Sequence, residues 1–234
     1  DYSLIPNIMM PDYADWYITF ARNQMVLCYT NQSRYANEIN SNNWFDILLR
    51  DGVEYGHGSL MDPCGYRTLL VWQLAEAYYD HPGLYQDLVK HCPAKNIRTK
   101  SEDLLALLET GNIDYAFEYS SVAKQHNLKF VELPANINLS DIQFKDFYAQ
   151  ATVDIPGKQP GEKITKTGKP IVYGVTIPTN AAHPDLARAF IEYLLGEKGQ
   201  AIMNRNGQPS IVPAVASEVS KLPTELQSFV VRNK

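Results

Sequence analysis

Apolar residues along the chain fall into short blocks, and their spacing switches between the two-residue period of strands and the longer period of helices. Ser3 to Met10 reads as a short helix or turn ended by Pro11, and Ala14 to Ala21 as a helix. Met25-Val26-Leu27-Cys28-Tyr29-Thr30 is an unbroken β-prone run, which predicts a buried strand. A polar stretch rich in Asn and Ser, Asn31 to Asn43, then reads as a loop or crossover, and Trp44 to Arg50 as a helix stopped by Asp51-Gly52. Val53 to Leu60 is β-like. The run from Tyr66 to Tyr79 places Leu69, Leu70, Trp72, Leu74 and Ala77 on one helical stripe.

Beyond Asp80-His81-Pro82-Gly83, a helix is expected from Leu84 to Lys90 and another from Ser101 to Thr110. Ser101 reads as the N-cap of the latter, with an acidic first turn and Gly111 past its end. Ile113 to Tyr119 predicts a strand, Ser120 to His126 a short helix and Leu128 to Leu133 a further strand. Alternating helices and strands from Trp44 to Leu133 imply a parallel, doubly wound sheet. The last hundred residues differ. Phe147 to Ile155 and Pro170 to Ile177 read as two extended runs of a hairpin around a loop from Pro156 to Lys169. A long helix is expected to Leu195, with Ala187, Phe190, Ile191 and Leu194 as its core stripe. It continues helically to Asn204, and an extended tail and a short helix follow. The helix–strand unit at the start cannot close a sheet alone. The expected organisation is therefore one lobe from 1–31 plus 135–234, with 32–134 inserted as a second α/β lobe and the chain crossing between them twice.

Composition narrows the function. The 234 residues carry a formal charge of −5, with no basic run or basic helix face, which argues against a nucleic-acid or membrane-surface protein. A hydrophobic fraction of 45% with 20% charged residues is globular. No apolar run approaches the roughly 20 residues that span a bilayer. The chain opens at Asp1 without a signal-peptide pattern and reads as a processed or trimmed form. Three cysteines, Cys28, Cys64 and Cys92, show no C-x-x-C spacing, so neither a disulfide framework nor a zinc site is expected.

The candidate chemistry centres on Asp62-Pro63-Cys64-Gly65-Tyr66-Arg67, between a β-like run and a helix. Asp before Pro is a helix-start signal: the carboxylate accepts from first-turn amides, and proline loses an N–H that had no partner. The amides of Cys64, Gly65 and Tyr66 then leave the helix N-terminus with the positive end of its dipole behind them, a geometry suited to an anion. The same six residues also fit a plain N-cap in an ordinary turn. Glu118 stands in an otherwise apolar strand, as either a ligand-facing acid or a solvent-facing strand end. Tyr119 could donate its phenol to an anion or simply pack. Arg67 could neutralise an anion or pair with a surface acid, and His57 reads as structural. No H-E-x-x-H, G-x-S-x-G, G-x-G-x-x-G or P-loop pattern is present.

Together with Phe117-Glu118-Tyr119-Ser120-Ser121-Val122-Ala123, Lys169-Pro170-Ile171-Val172-Tyr173-Gly174-Val175-Thr176-Ile177-Pro178 and Asn206-Gly207-Gln208-Pro209, the Asp62–Arg67 motif resembles the tungstate/molybdate-binding proteins of ABC importers. The resemblance is to the branch that holds the metal with two carboxylates, and it extends over essentially the whole chain. It implies a type II periplasmic-binding-protein fold, α/β, with two lobes joined by a two-crossing hinge and an oxyanion clamped between them. It also implies an extracytoplasmic, monomeric protein, tethered by an anchor not present in this chain, that delivers its ligand to a permease and its ATPase. No catalysis and no cofactor are implied, only tungstate or molybdate as ligand. The metal ligands carried over are Asp62 and Glu118, with Cys64, Gly65, Tyr66 and Tyr119 as further ligand-binding residues. Members of this family begin with a strand and serine-bearing turns that contact the oxyanion. Here the chain starts at what resembles the end of the third strand, so the first lobe is expected to be incomplete at its N-terminus.

Paired carboxylates would repel sulfate or phosphate. Hexavalent tungsten or molybdenum is a hard Lewis acid able to accept further oxygen donors, which carboxylates supply. The competing readings are a binding protein for another oxyanion and an enzyme that uses Asp62 and Glu118 as an acid/base pair.

Overall fold

A computed structural model describes residues 2–232. A π-helical turn (Ile5–Met9) precedes β1 (Ile18–Arg22) and β2 (Met25–Tyr29), followed by α1 (Trp44–Leu48), β3 (Tyr55–Gly58), α2 (Pro63–Tyr78) and α3 (Leu84–His91). Next come β4 (Ile97–Arg98), α4 (Asp103–Glu109), β5 (Tyr115–Tyr119), α5 (Ser120–Gln125), β6 (Lys129–Glu132) and α6 (Lys145–Tyr148). The chain ends through β7 (Thr152–Pro156), β8 (Lys163–Thr167), β9 (Val172–Val175), α7 (Pro184–Leu195), α8 (Glu197–Arg205), β10 (Ser210–Ala216) and β11 (Val230–Arg232). No helix among the described residues is long and apolar enough to cross a membrane.

The chain divides into two compact α/β units, one of Asp1–Asn23 with Ile171–Lys234 and one of Gln24–Pro170. These limits differ from the 1–31, 32–134 and 135–234 division read from the sequence. The second unit gains β2 because this strand fills its register between β5 and β6. It also keeps the whole 135–170 segment, because Ala151 and Gly168 close the β7–β8 ladder within it.

The first unit is a four-stranded sheet in the order β11-β10-β1-β9. Its core gathers Trp16, Ile18, Ile191, Leu195, Ala214, Ala216, Leu222 and Leu226. The second half of the Ala14–Ala21 segment is therefore strand, and none of it is helix: Ile18 and Thr19 pair with β9 and β10, which satisfies the backbone across the sheet. On α7, Ile191 is buried as expected, whereas Phe190 is 59% exposed and Leu195 takes the buried position in place of Leu194, which is half-buried.

The second unit is a five-stranded sheet in the order β4-β3-β5-β2-β6. β4, β3 and β5 run parallel, as the helix–strand alternation predicts. β2 runs antiparallel to both its neighbours, so the sheet is mixed. Apolar periodicity reports that a strand is buried and carries no information on its direction. On one face Val26, Cys28, Ala116 and Ala123 pack with Leu104, Leu108 and Ile113. Also in this unit, Trp72 of α2 stands edge-on to Tyr55, His57 and Phe117, at ring separations of 6.1, 5.2 and 5.5 Å.

The expected hairpin has a different second strand. Thr152–Pro156 pairs with Lys163–Thr167, inside the stretch read as a loop, while Val172–Val175 joins the first unit's sheet. Ile164, Thr165 and Thr167 supply the β-prone side chains of that partner. The Gln73 side chain ties the hairpin to α2, donating to Thr152 O at 2.8 Å and accepting from Thr152 N at 3.1 Å.

Candidate functional site

β3 and β5 are parallel neighbours, so the turn after β3 and the end of β5 emerge at the same edge of the sheet. That edge, beyond the carboxyl ends of parallel strands, is where open α/β sheets place their ligands. Asp62 sits in the first of these positions and Glu118, with Tyr119, in the second.

Asp62 is the N-cap of α2, and its Oδ1 accepts from the Cys64 amide at 3.1 Å. Its Oδ2 accepts from the Ser101 amide at 2.7 Å. The helix start follows the Asp-Pro signal, and its closeness to β3 follows from glycine. A Cβ on Gly65 would overlap the carbonyl oxygens of Gly58 and Ser59, and one on Gly58 would meet the Asp62 carboxylate. Of the three amides expected at this helix mouth, two are engaged by Asp62 itself. The Cys64 amide goes to its side chain, and the Tyr66 amide goes to its carbonyl at 3.1 Å. Gly65 carries the one amide of the three that Asp62 does not take.

Glu118 is fully buried. Its Oε2 accepts from the Tyr119 amide at 2.9 Å and lies 3.7 Å from Cys64 Sγ. Oε1 is buried with no hydrogen-bond partner among the described residues. Burial pushes this carboxyl up to about 7, against the pull of the Ser101 hydroxyl and the Tyr119 amide, and the charges of Glu102 and Asp62 add to the rise. A buried acid with an unused oxygen is costly to keep, on the order of 1–3 kcal/mol for the missing bond alone.

Both acids therefore converge on the same two residues. Cys64 gives its amide to Asp62 and places its thiol against Glu118. Ser101 gives its amide to Asp62, and its hydroxyl works against the rise of the Glu118 carboxyl. The Cys64 thiol is raised well above its ordinary range by burial, then by the charges of Glu118 and Asp62, so it stays protonated as a donor.

Cations line the same edge. Arg67 is buried and donates to the Tyr119 hydroxyl. Its guanidinium also stands 5.4 Å from the Tyr66 ring centre and 5.7 Å from that of Tyr119. The Tyr119 phenol thus serves Arg67 as an acceptor. Lys166 of β8 places Nζ 6.0 Å over the Tyr66 ring. His57 is buried with Nδ1 2.6 Å from Gly58 O, in keeping with a structural role. Among the described residues, no three His, Cys, Asp or Glu side chains are grouped to hold a metal ion.

The residue that sequence reasoning missed is Ser101. The run Ser-Glu-Asp reads as a helix cap, but α4 starts at Asp103 with Glu102 at its N-cap, and the Ser101 amide goes to the Asp62 carboxylate. Only its placement beside an acidic first turn singled it out, and that signal pointed to capping.

Residues 4–208 match the family described as bacterial extracellular solute-binding protein. An uncharacterized solute-binding protein of Petrotoga mobilis is 54% identical over 98% of this chain and 72% of its own length. A protein of Pyrococcus abyssi described as molybdate/tungstate-binding is 39% identical, over 98% of this chain and 72% of its own. Among solved structures, a periplasmic molybdate-binding protein of Azotobacter vinelandii superposes with a TM-score of 0.54 at 16% identity, over 88% of this chain and 74% of that one. The substrate-binding domain of a molybdenum ABC transporter component from Clostridium difficile gives 0.52 at 21% identity, over 82% and 65%. These likenesses agree with the two-lobe α/β fold.

Proposed function

The chain belongs to the bacterial extracellular solute-binding proteins, and from that premise we propose that it captures tungstate or molybdate, with Asp62 and Glu118 as oxygen donors to the metal. The observation that carries the reading is the Glu118 carboxylate, fully buried, with Oε1 left without a partner. A hard hexavalent centre bearing oxo groups is an acceptor for that oxygen, whereas sulfate and phosphate would meet it with like charge. Asp62 already accepts two amide bonds, yet each carboxylate oxygen has a second lone-pair site to offer. The Gly65 amide is the donor at the helix mouth best placed for an oxo group. Arg67 and Lys166 offset the negative charge that the two acids and the ligand bring together.

The likeness to the Pyrococcus abyssi protein supports this ligand class. On this reading the protein works outside the cytoplasm, holds no cofactor, and hands the oxyanion to a permease driven by an ATPase.

Thermal unfolding with and without ligand tests the proposal. Sodium tungstate or molybdate at a hundred times its Kd should stabilise the protein by about 2.7 kcal/mol. Sulfate and phosphate at equal concentration should not. Equal protection by sulfate would remove the metal-coordination argument, and turnover of a substrate would favour acid/base chemistry instead. Glu118 must lose its proton to donate to the metal, so tungstate affinity should fall as pH drops from 8 through about 7 toward 6. Asp62→Asn keeps one acceptor oxygen for the helix cap but sets an NH2 against the Ser101 amide, so some stability should be lost, and a loss of binding in a variant that still unfolds cooperatively isolates the donor role.

A further inference from the structure

Glu118 is a ligand with one arm already tied. Its Oε2 takes the Tyr119 amide at 2.9 Å and faces Cys64 Sγ at 3.7 Å, while Oε1 has no partner. The thiol proton has two acceptors within reach, Glu118 Oε2 and Phe117 O, both at 3.7 Å. A carboxylate is the stronger acceptor, so the proton belongs on Glu118. Cys64 also gives its backbone amide to Asp62 Oδ1. One buried residue at the second position of α2 therefore restrains one oxygen of each acid.

We propose that Cys64 is a positioning residue whose thiol, with the Tyr119 amide, holds Oε2 of Glu118 so that the carboxylate presents Oε1 alone to its ligand. The inference deepens the capture reading given above and rests on it. Its physical content is orientation. With Oε2 held at two points, the carboxylate cannot rotate to chelate through both oxygens, and the ligand meets a single fixed donor. Thiol and hydroxyl differ here in reach: serine offers a stronger donor on a shorter arm, whereas alanine offers none.

The experiment uses the whole chain as wild type, Cys64→Ser, Cys64→Ala and Glu118→Gln. The S–H stretching band in the infrared spectrum is read without ligand above about pH 8, where Glu118 is a carboxylate, and the Cys64 component is identified by its loss in Cys64→Ser. In Glu118→Gln that component should move to higher frequency, because the amide is a weaker acceptor than the carboxylate. A band that stays in place overturns the proposal. Calorimetric titration with sodium tungstate then measures the effect on capture. Cys64→Ala should bind about 10- to 100-fold more weakly, as expected when a group orienting a metal ligand is removed. Cys64→Ser should recover part of that loss, which a merely structural packing role would not produce. If Cys64→Ala binds as tightly as wild type, the positioning role is wrong. A wild-type chain that does not bind tungstate at all sinks the capture reading, while the infrared shift still decides whether the thiol holds the acid.

Discussion

At Gly65 the first turn of α2 lies so close to the end of β3 that a methyl group would overlap two backbone carbonyls. Backbone cannot step aside as a flexible side chain can. Gly65→Ala should therefore cost at least about 1–3 kcal/mol in denaturant unfolding, although alanine is the better helix former. Glu118 makes the opposite prediction for its own removal. Burial lifts its folded-state pKa to about 7 from an ordinary 4.5, so between those values the folded protein keeps a proton that the unfolded chain has lost. Stability conferred by that proton is complete below about 4.5 and is lost as pH rises through about 7, by on the order of 3 kcal/mol at most. Glu118→Gln carries no charge to bury. Its melting temperature should gain on wild type between pH 5 and pH 8, and a parallel pair of curves would mean that the acid is not held neutral by burial. Asp62 and Glu118 were legible as candidates because each breaks its context, one as Asp before Pro and the other as an acid inside an apolar strand. Ser101 was not, because its polar neighbours make it look like an ordinary cap.

The helices and strands of the second unit were legible wherever a long apolar stripe met a clear stop signal, as in α2 and α3. They were less legible where two explanations fit the same residues. Trp16 to Ala21 is aromatic and β-branched enough for a strand but short enough to pass for a helical turn, and only pairing with β9 and β10 decides it. The β8 strand hid in a polar stretch because most of its residues are exposed, leaving propensity as the sole signal. On α7 the stripes of Phe190 and Ile191 are neighbours in sequence and opposite in burial. Ile191→Ala should cost about 2–5 kcal/mol, whereas Phe190→Ser should stay within about 0.5 kcal/mol in the same unfolding assay. Comparable losses at both sites would contradict the burial pattern. The Gln73 clasp predicts a local effect: Gln73→Ala should speed amide hydrogen exchange in β7 and β8 and leave β3 and β5 unchanged.

At the scale of the whole chain, the two units differ in how they are strung. The unit bearing Asp62 and Glu118 is one uninterrupted stretch from 24 to 170, whereas the other needs both ends of the chain. Two crossings were legible from the switch in pattern near residue 135. Their positions were not, because β2 is a generic buried strand that either sheet could have taken, and hydrogen bonding assigns it to β5 and β6. The partners described above for the two acids, Cys64, Ser101 and Tyr119, all lie within the uninterrupted stretch. Residues 24–170 expressed alone should therefore unfold cooperatively, and near-ultraviolet circular dichroism without fixed aromatic signals would refute it. Those aromatics have a further use. Trp44 and Trp72 flank Phe117 at 5.7 and 5.5 Å, one residue before the acid whose oxygen lacks a partner. Two indoles so placed make the protein its own optical gauge: arrival of a heavy oxyanion at that carboxylate should alter their emission, with no dye attached.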